Sequence, residues 1–194
     1  KYTLFIAAHR THEQYKIRNL TLNVQDEALE QTLDSLDYRP AISSETGVGS
    51  KTYSANELDA ERSRIYDLLI ENGYYKFNKE YVHFRVDTTL GHHLADVEMI
   101  VKKAQNEIDS TDYSHHRFHI GNINYEQISD KPFLRPKVLR NATAIGNGQL
   151  YRESKMHETY ARMSRLSAVA AANVHVSPRT DGSDTLDVNI SLTP

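Results

Sequence analysis

Ser54-Ala-Asn-Glu-Leu-Asp-Ala-Glu-Arg-Ser-Arg-Ile-Tyr-Asp-Leu-Leu-Ile-Glu-Asn-Gly-Tyr-Tyr75, followed by Tyr81-Val-His-Phe-Arg-Val-Asp87 and Ala95-Asp-Val-Glu-Met-Ile-Val101, is the stretch from which the fold is read. It predicts a capped helix, a sharp stop and two alternating strands. Ser54 suits the N-cap, and Glu57 three residues on completes a capping box. Leu58, Ile65, Leu68 and Leu69 form an apolar stripe near helical period. Gly73 suits the left-handed position just past the helix end, where a side chain would clash. Thr88–His93 joins the two strands, with Gly91 near the tip.

Working outward, Lys1–Ala8 reads as a strand and His9–Gln14 as a polar connector. Tyr15–Val24 is a strand whose apolar side changes from Tyr15 and Ile17 to Leu20, Leu22 and Val24. Such a change marks a bulge or twist. Asp26–Leu36 is a short helix, with Leu29, Leu33 and Leu36 on one face and acids in its first turn. Asp37–Tyr53 is a loop broken by Pro40 and Gly47-Val-Gly49.

Lys103–His115 is polar and without period, which marks a boundary. Beyond it, Phe118-His-Ile120-Gly-Asn122-Ile123 repeats Tyr15-Lys-Ile17-Arg-Asn19-Leu20 at a spacing of 103 residues. Arg135–Ile145 reads as a short helix ended by Gly146-Asn-Gly148. Ser154–Ala168 is a second helix, with Met156, Tyr160, Met163 and Leu166 inward. Asn173–Ser177 is a strand, Asp181-Gly182 a turn signal, and Leu186-Asp-Val-Asn-Ile-Ser-Leu192 the cleanest alternation in the chain. Asp187-Val188 answers Asp96-Val97. The order β-α-α-β-β thus occurs twice, as in a modular array. The fold class expected is α+β, each module a three-stranded mixed sheet covered on one face by two helices.

Composition excludes several functions. With 23 basic and 26 acidic residues the net charge is −3, which lacks the basic excess of a nucleic-acid binder. The absence of cysteine excludes disulfides, thiolate metal sites and a cysteine nucleophile. No run approaches the roughly 18 apolar residues of a membrane helix. Mean hydropathy is −0.62, as expected for a polar surface. The chain begins at Lys1 rather than Met, which suggests a piece of a longer protein.

Each chemical motif has a plainer reading. His92-His93 and His115-His116-x-x-His119 invite a zinc site, but no carboxylate or cysteine accompanies them at ligand spacing. Adjacent histidines in an extended chain also point apart. Asp59, Glu61, Arg62 and Arg64 fit a helix face of i,i+3 ion pairs better than a catalytic cluster. Gly47-Val-Gly-Ser-Lys51 lacks the spacing of a phosphate loop. No catalytic, cofactor or metal residue is assigned. A small zinc-dependent α/β enzyme is the alternative of a different class.

The repeated β-α-α-β-β order carries a family resemblance. So do the paired openings at Tyr15 and Phe118, Glu61-Arg-Ser-Arg-Ile with Asn72-Gly-Tyr-Tyr-Lys-Phe, and Leu186-Asp-Val-Asn-Ile-Ser-Leu-Thr-Pro194. From about Tyr15 to Pro194 the chain resembles the POTRA domains of the BamA/TamA superfamily of outer-membrane protein assembly factors, in their Bacteroidetes versions. The resemblance implies POTRA domains at 15–103 and 116–194, joined by a linker at 104–115. Residues 1–14 would hold the last strand of a truncated preceding POTRA and a connector, and the second domain would be the barrel-proximal one. It implies a periplasmic scaffold that binds unfolded outer-membrane proteins and accessory periplasmic proteins or lipoproteins. Such a scaffold leads to a C-terminal outer-membrane β-barrel. A TamA-like or two-partner-secretion translocation protein is the alternative within the superfamily.

In that pattern the second strand of each module lies at a sheet edge, where a partner strand can add. These strands are Tyr81–Asp87 and Asn173–Ser177. Tyr81–Asp87 is the expected client edge, being longer and free of proline. Its members are Tyr81, Val82, His83, Phe84, Arg85, Val86 and Asp87. Tyr81, His83 and Arg85 face one way, Val82, Phe84 and Val86 the other.

Overall fold

In a computed structural model of the chain, residues 15–42, 54–89, 91–105 and 111–194 are described. They divide into two compact units, the first running to Tyr66 and including Phe77–His115, the second made of Asp67–Lys76 and His116–Pro194. The strand expected at Lys1–Ala8 and the Gly47–Lys51 motif lie outside the described residues.

The first unit contains β1 (Lys16–Val24), α1 (Glu27–Ser35), the start of α2 (Ala55–Glu71), a 3-10 turn (Lys79–Tyr81), β2 (Val82–Asp87) and β3 (Leu94–Val101). The sheet order is β1-β3-β2, with β1 parallel and β2 antiparallel to β3. A parallel pair needs a crossover, and the two helices supply it. The last strand therefore slots between the first two and leaves β2 at an edge. Val97 and Met99 of β3 are buried, while Asp96 and Glu98 alternate to the open face. Ile17, Ile42, Leu58 and Val97 form a core cluster, with Leu20, Phe84 and Val86 packed against it.

Local signals explain α2. The Glu57 backbone N–H donates to Ser54 Oγ at 3.2 Å, half of the expected capping box. Ile65 and Leu69 are wholly buried. Gly73 has φ +97°, the left-handed value expected just past the helix. At the end of α1, Leu36 departs from expectation. It is the C-cap rather than a member of the buried face, and it is exposed. Its place inside is taken by Thr32, whose hydroxyl donates to the Ala28 carbonyl.

The described residues of the expected linker belong to the first unit. Ala104–Gln105 (β4) pairs antiparallel with Asp112–Tyr113 (β5). His115 is buried, with its ring edge-on to Phe77 and Tyr81. Asp26, fully buried at the N-cap of α1, binds two backbone donors. Its Oδ1 accepts from Ala28 N at 3.0 Å and its Oδ2 from His115 N at 2.7 Å. No local period announces a tie between residues so far apart in sequence.

The second unit repeats the plan with β6 (His119–Gln127), α3 (Pro136–Ala142), α4 (Glu153–Ser164), β7 (Ala171–Pro178) and β8 (Thr185–Thr193). Its sheet order is β6-β8-β7. β8 alternates without a fault, and Leu186, Val188, Ile190 and Leu192 are wholly buried. Each contributes about 1.5–3 kcal/mol of apolar burial. On α4, Met156 and Met163 are buried as expected, but Tyr160 is exposed. Thr159 is buried instead, and its hydroxyl oxygen accepts from Ala144 N at 3.0 Å while donating to the Lys155 carbonyl. The inward face therefore runs 156, 159, 163, one position short of Tyr160.

The bulge read from the first strand is present in both units, between Ile17 and Asn19 and between Ile120 and Ile123. A carboxyl from the central strand holds each one. Asp187 Oδ1 accepts from the Asn122 backbone at 2.7 Å and from Arg179 Nη2 at 2.9 Å. Asp96 takes the Arg18 guanidinium, with Nε–Oδ1 at 2.9 Å, and a bond from Asn19. Each carboxyl sits below the ordinary carboxylate range, Asp187 because of Arg179 and then the Asn122 amide, Asp96 because of Arg18.

Gly121 lies inside the second bulge. A Cβ there would meet Asp187 Oδ1 at 2.5 Å and Thr185 Cγ2 at 2.6 Å. We expect Gly121→Ala to destabilise the second unit by about 1–3 kcal/mol, the usual cost of overpacking. Urea unfolding measures this, and an unchanged midpoint would remove the close approach from the account.

Candidate functional site

An edge strand works as a receptor only through backbone groups that its own sheet leaves unpaired. In an antiparallel pair, successive residues turn their N–H and C=O alternately toward and away from the neighbour. Lys102 N donates to the Tyr81 carbonyl at 2.9 Å, which sets the phase. With Val82 opposite Val101 and Asp87 opposite Asp96, His83, Arg85 and Asp87 bond to β3. Val82, Phe84 and Val86 turn their backbone groups outward.

These three outward positions are not equivalent. The Val82 N–H donates to the Lys79 carbonyl of the 3-10 turn. The Val82 carbonyl accepts from Arg62 Nε at 3.1 Å. Among the described residues, no group bonds the outward N–H and C=O of Phe84 and Val86. Beyond Asp87 the strand ends in an Asx turn, with Thr89 N donating to Asp87 Oδ1 at 2.9 Å. The open frame is therefore short and bounded at both ends.

Side chains follow the expected division. Val82 is buried and Phe84 and Val86 are half-buried on the core side, while His83 and Arg85 are exposed on the open face. Tyr81 belongs to the 3-10 turn and not to the strand. Arg85 Nη1 donates to Glu98 Oε2 at 2.8 Å. Burial, then Lys102 and Arg62, lower the His83 pKa from the ordinary imidazole value. Asp87 is held below the carboxylate range by Thr89.

The corresponding edge of the second unit is β7. Arg179 N donates to the Thr185 carbonyl at 3.0 Å, so Ala172, Val174, Val176 and Pro178 turn outward. Pro178 has no N–H to offer an added strand. The Val176 carbonyl lies 3.4 Å from the Tyr75 hydroxyl, within the same unit. β7 has eight residues and β2 six, so β2 is not the longer edge as expected. Ala171 and Ala172 have weak strand propensity, which hid the start of β7 from the sequence. β2 retains a different distinction: its open positions carry a Phe and a Val, where β7 offers an Ala and a Val.

The histidines do not gather. His92 and His93 have φ of +53° and +54°, in a left-handed turn rather than the extended chain expected. His93 stacks edge-on with Tyr15. His116 Nδ1 lies 3.3 Å from Asp184 Oδ2. Among the described residues, no group of three His, Asp or Glu side chains is placed to hold a metal ion. The expected i,i+3 pairs are present, with Arg62 on Asp59 at 3.0 Å and Arg64 on Glu61 at 2.6 Å. Burial of Glu61 was not foreseen. It is 3% exposed and accepts from the Tyr38 hydroxyl and from Ala41 N at 3.1 Å. An acid followed by two arginines reads as surface, and only the distant Tyr38 reveals otherwise.

No family model matches this sequence, and no curated protein matches it. Solved structures do. BamA POTRA domains 3–5 from Haemophilus influenzae superpose with TM-score 0.54 at 15% identity, covering 93% of this chain. BamA from Haemophilus ducreyi lacking POTRA domains 1–3 gives TM-score 0.65 at 16% identity over 92% of this chain. The chain spans 61% of the first and 29% of the second. At these identities the likeness is one of fold. Among the described residues no helix is long and apolar enough to cross a membrane.

Proposed function

We propose that this chain, which has the fold of tandem POTRA domains, is the periplasmic scaffold of an outer-membrane β-barrel assembly protein. It receives extended segments of unfolded outer-membrane proteins by strand addition at β2, with accessory periplasmic proteins as further partners. In the full-length protein it leads to a membrane barrel. The observation that carries this reading is the β2 edge, whose Phe84 and Val86 present outward backbone groups that no described residue bonds. Backbone pairing is nearly blind to side-chain identity, which suits a receptor for many clients.

The test uses proline at an outward position, where it removes a docking donor and leaves the β2–β3 ladder whole. We expect Val86→Pro to keep the circular dichroism spectrum of the parent. It should bind a fluorescein-labelled ten-residue peptide of alternating Val and Thr at least tenfold more weakly. Methylating alternate peptide amides should abolish binding on one set and spare it on the other. A folded Val86→Pro chain that binds like the parent would sink the β2 assignment.

A further inference from the structure

Arg62 lies on α2, yet its side chain ends on the edge of the sheet. Its Nε donates to the outward Val82 carbonyl at 3.1 Å. Its Nη1 donates to Asp59 Oδ1 at 3.0 Å, and its Cζ stands 5.6 Å from the centre of the Phe84 ring. Two contacts thus hold the guanidinium against β2, and Asp59 on its own helix orients it. The Val82 N–H is already committed to the Lys79 carbonyl. One end of the edge is therefore closed by two different devices, an arginine and a 3-10 turn.

We propose that Arg62 is a register-setting residue: it occupies the Val82 carbonyl and confines an added strand to the Phe84–Val86 frame. This rests on the reading of β2 as the docking edge. An antiparallel strand laid on that frame can exchange two bonds with Phe84 and two with Val86. Extending the pairing by one more outward residue requires an N–H of the client to displace the guanidinium from Val82. A charged donor in place makes that exchange unfavourable. The frame recognises a short extended segment of any sequence and lets it leave, as a chaperone-like receptor requires.

The second unit contains a parallel device built from other residues. On β7 the outward Val176 carbonyl faces the Tyr75 hydroxyl at 3.4 Å, and the next outward residue is Pro178. There too one end of the edge is closed, and among the described residues no group bonds the outward backbone of Ala172 and Val174. Both edges carry protection against unlimited pairing, which would otherwise template aggregation.

The experiment measures affinity of the alternating Val/Thr peptide for the full chain and for Arg62→Ala, with Arg62→Gln as a second variant. Alanine suits a helix interior, so α2 should persist, and thermal unfolding checks that it does. Freeing the Val82 carbonyl adds one backbone bond to the docked strand, so Arg62→Ala should bind about two- to tenfold more tightly. Arg62→Gln should fall between it and the parent. In the parent, lengthening the peptide past Val82 should gain nothing, while in Arg62→Ala it should gain. If Arg62→Ala binds equally or more weakly while Val86→Pro abolishes binding, the edge stands and the register role is wrong. If Val86→Pro leaves binding intact, the docking edge itself is wrong and the register role falls with it.

Discussion

Asp26→Ala is expected to cost the first unit about 1.5–5 kcal/mol, the sum of two separate losses. One is the N-cap of α1. Asp26 Oδ1 accepts from Ala28 N at 3.0 Å, and replacing such a cap by alanine costs about 0.5–2 kcal/mol. The other is the His115 amide, which donates to Oδ2 at 2.7 Å. Both residues are buried, so the orphaned N–H has no water to turn to. An unsatisfied buried donor costs about 1–3 kcal/mol. In a domain of 60–100 residues each kcal/mol lowers the thermal midpoint by about 4–8 °C.

Asp26→Asn separates the two losses. An amide has one acceptor oxygen and one donating nitrogen, so it can satisfy Ala28 or His115 but not both. Its cost should lie between those of the parent and the alanine variant. Amide hydrogen exchange at His115 should accelerate in Asp26→Ala. A midpoint within a degree of the parent, with His115 exchange unchanged, would show that the tie between α1 and His115 carries no stability.

Glu61→Ala should cost about 1–3 kcal/mol, the penalty for leaving the buried Tyr38 hydroxyl without its partner. Glu61 accepts from the Tyr38 hydroxyl, from Ala41 N at 3.1 Å and from Arg64, whose Nη2–Oε1 distance is 2.6 Å. Arg64 also donates to the Arg39 carbonyl at 2.5 Å and lies over the Tyr38 ring at 4.5 Å. The carboxyl thereby fastens the segment after α1 to α2. Arg64 is 43% exposed on its side chain and can rehydrate, but Tyr38 cannot. Urea unfolding of Glu61→Ala and Glu61→Gln measures the loss, and the glutamine, with one acceptor left, should lose less.

The same network makes a pH prediction. Burial first, and then the Glu61 bond, push the Tyr38 phenol far above its ordinary range. A group whose folded pKa is raised contributes stability that is fully present below its unfolded value, about 10 for tyrosine. That contribution is lost as pH rises above that value. Alkaline unfolding of the first unit should therefore begin above about pH 10. The tyrosinate absorbance that distinguishes the parent from Tyr38→Phe should appear only as the unit unfolds. Absorbance from Tyr38 in the folded chain near pH 10 would show that the hydroxyl is not held in this network.

Much of the architecture is written in short-range pattern. Ser54, Glu57 and Gly73 bound α2 through contacts within a few residues. The alternation at Leu186–Leu192 chooses which face of β8 is buried, because a strand's side chains repeat every two residues. The 103-residue repeat carries the β-α-α-β-β order and even the bulge at Ile17 and Ile120, visible as a change of apolar side.

What escaped the sequence has a common cause. Tyr160 and Leu36 fit the helical period loosely, and their exposure follows from polar residues, Thr159 and Thr32, that fill the inward positions. Those threonines are buried because their hydroxyls bond within the helix, and for Thr159 also to Ala144. Asp26 and Glu61 look like surface acids until His115, Tyr38 and Ala41 reach them from distant parts of the chain. The expected linker looked featureless for the same reason: its buried His115 is held by a carboxyl far upstream.

The candidate site divides along the same line. The sequence by itself determined that β2 is a strand and which of its residues face the core, while its place at an edge was implied by the resemblance to POTRA domains. The first two follow from periodicity, which is local. Only the tertiary structure decided which outward groups stay open. That depends on Arg62 reaching from α2 to Val82 and on the phase set by Tyr81 and Lys102, and a backbone hydrogen bond leaves no mark on the identity of the residue that accepts it.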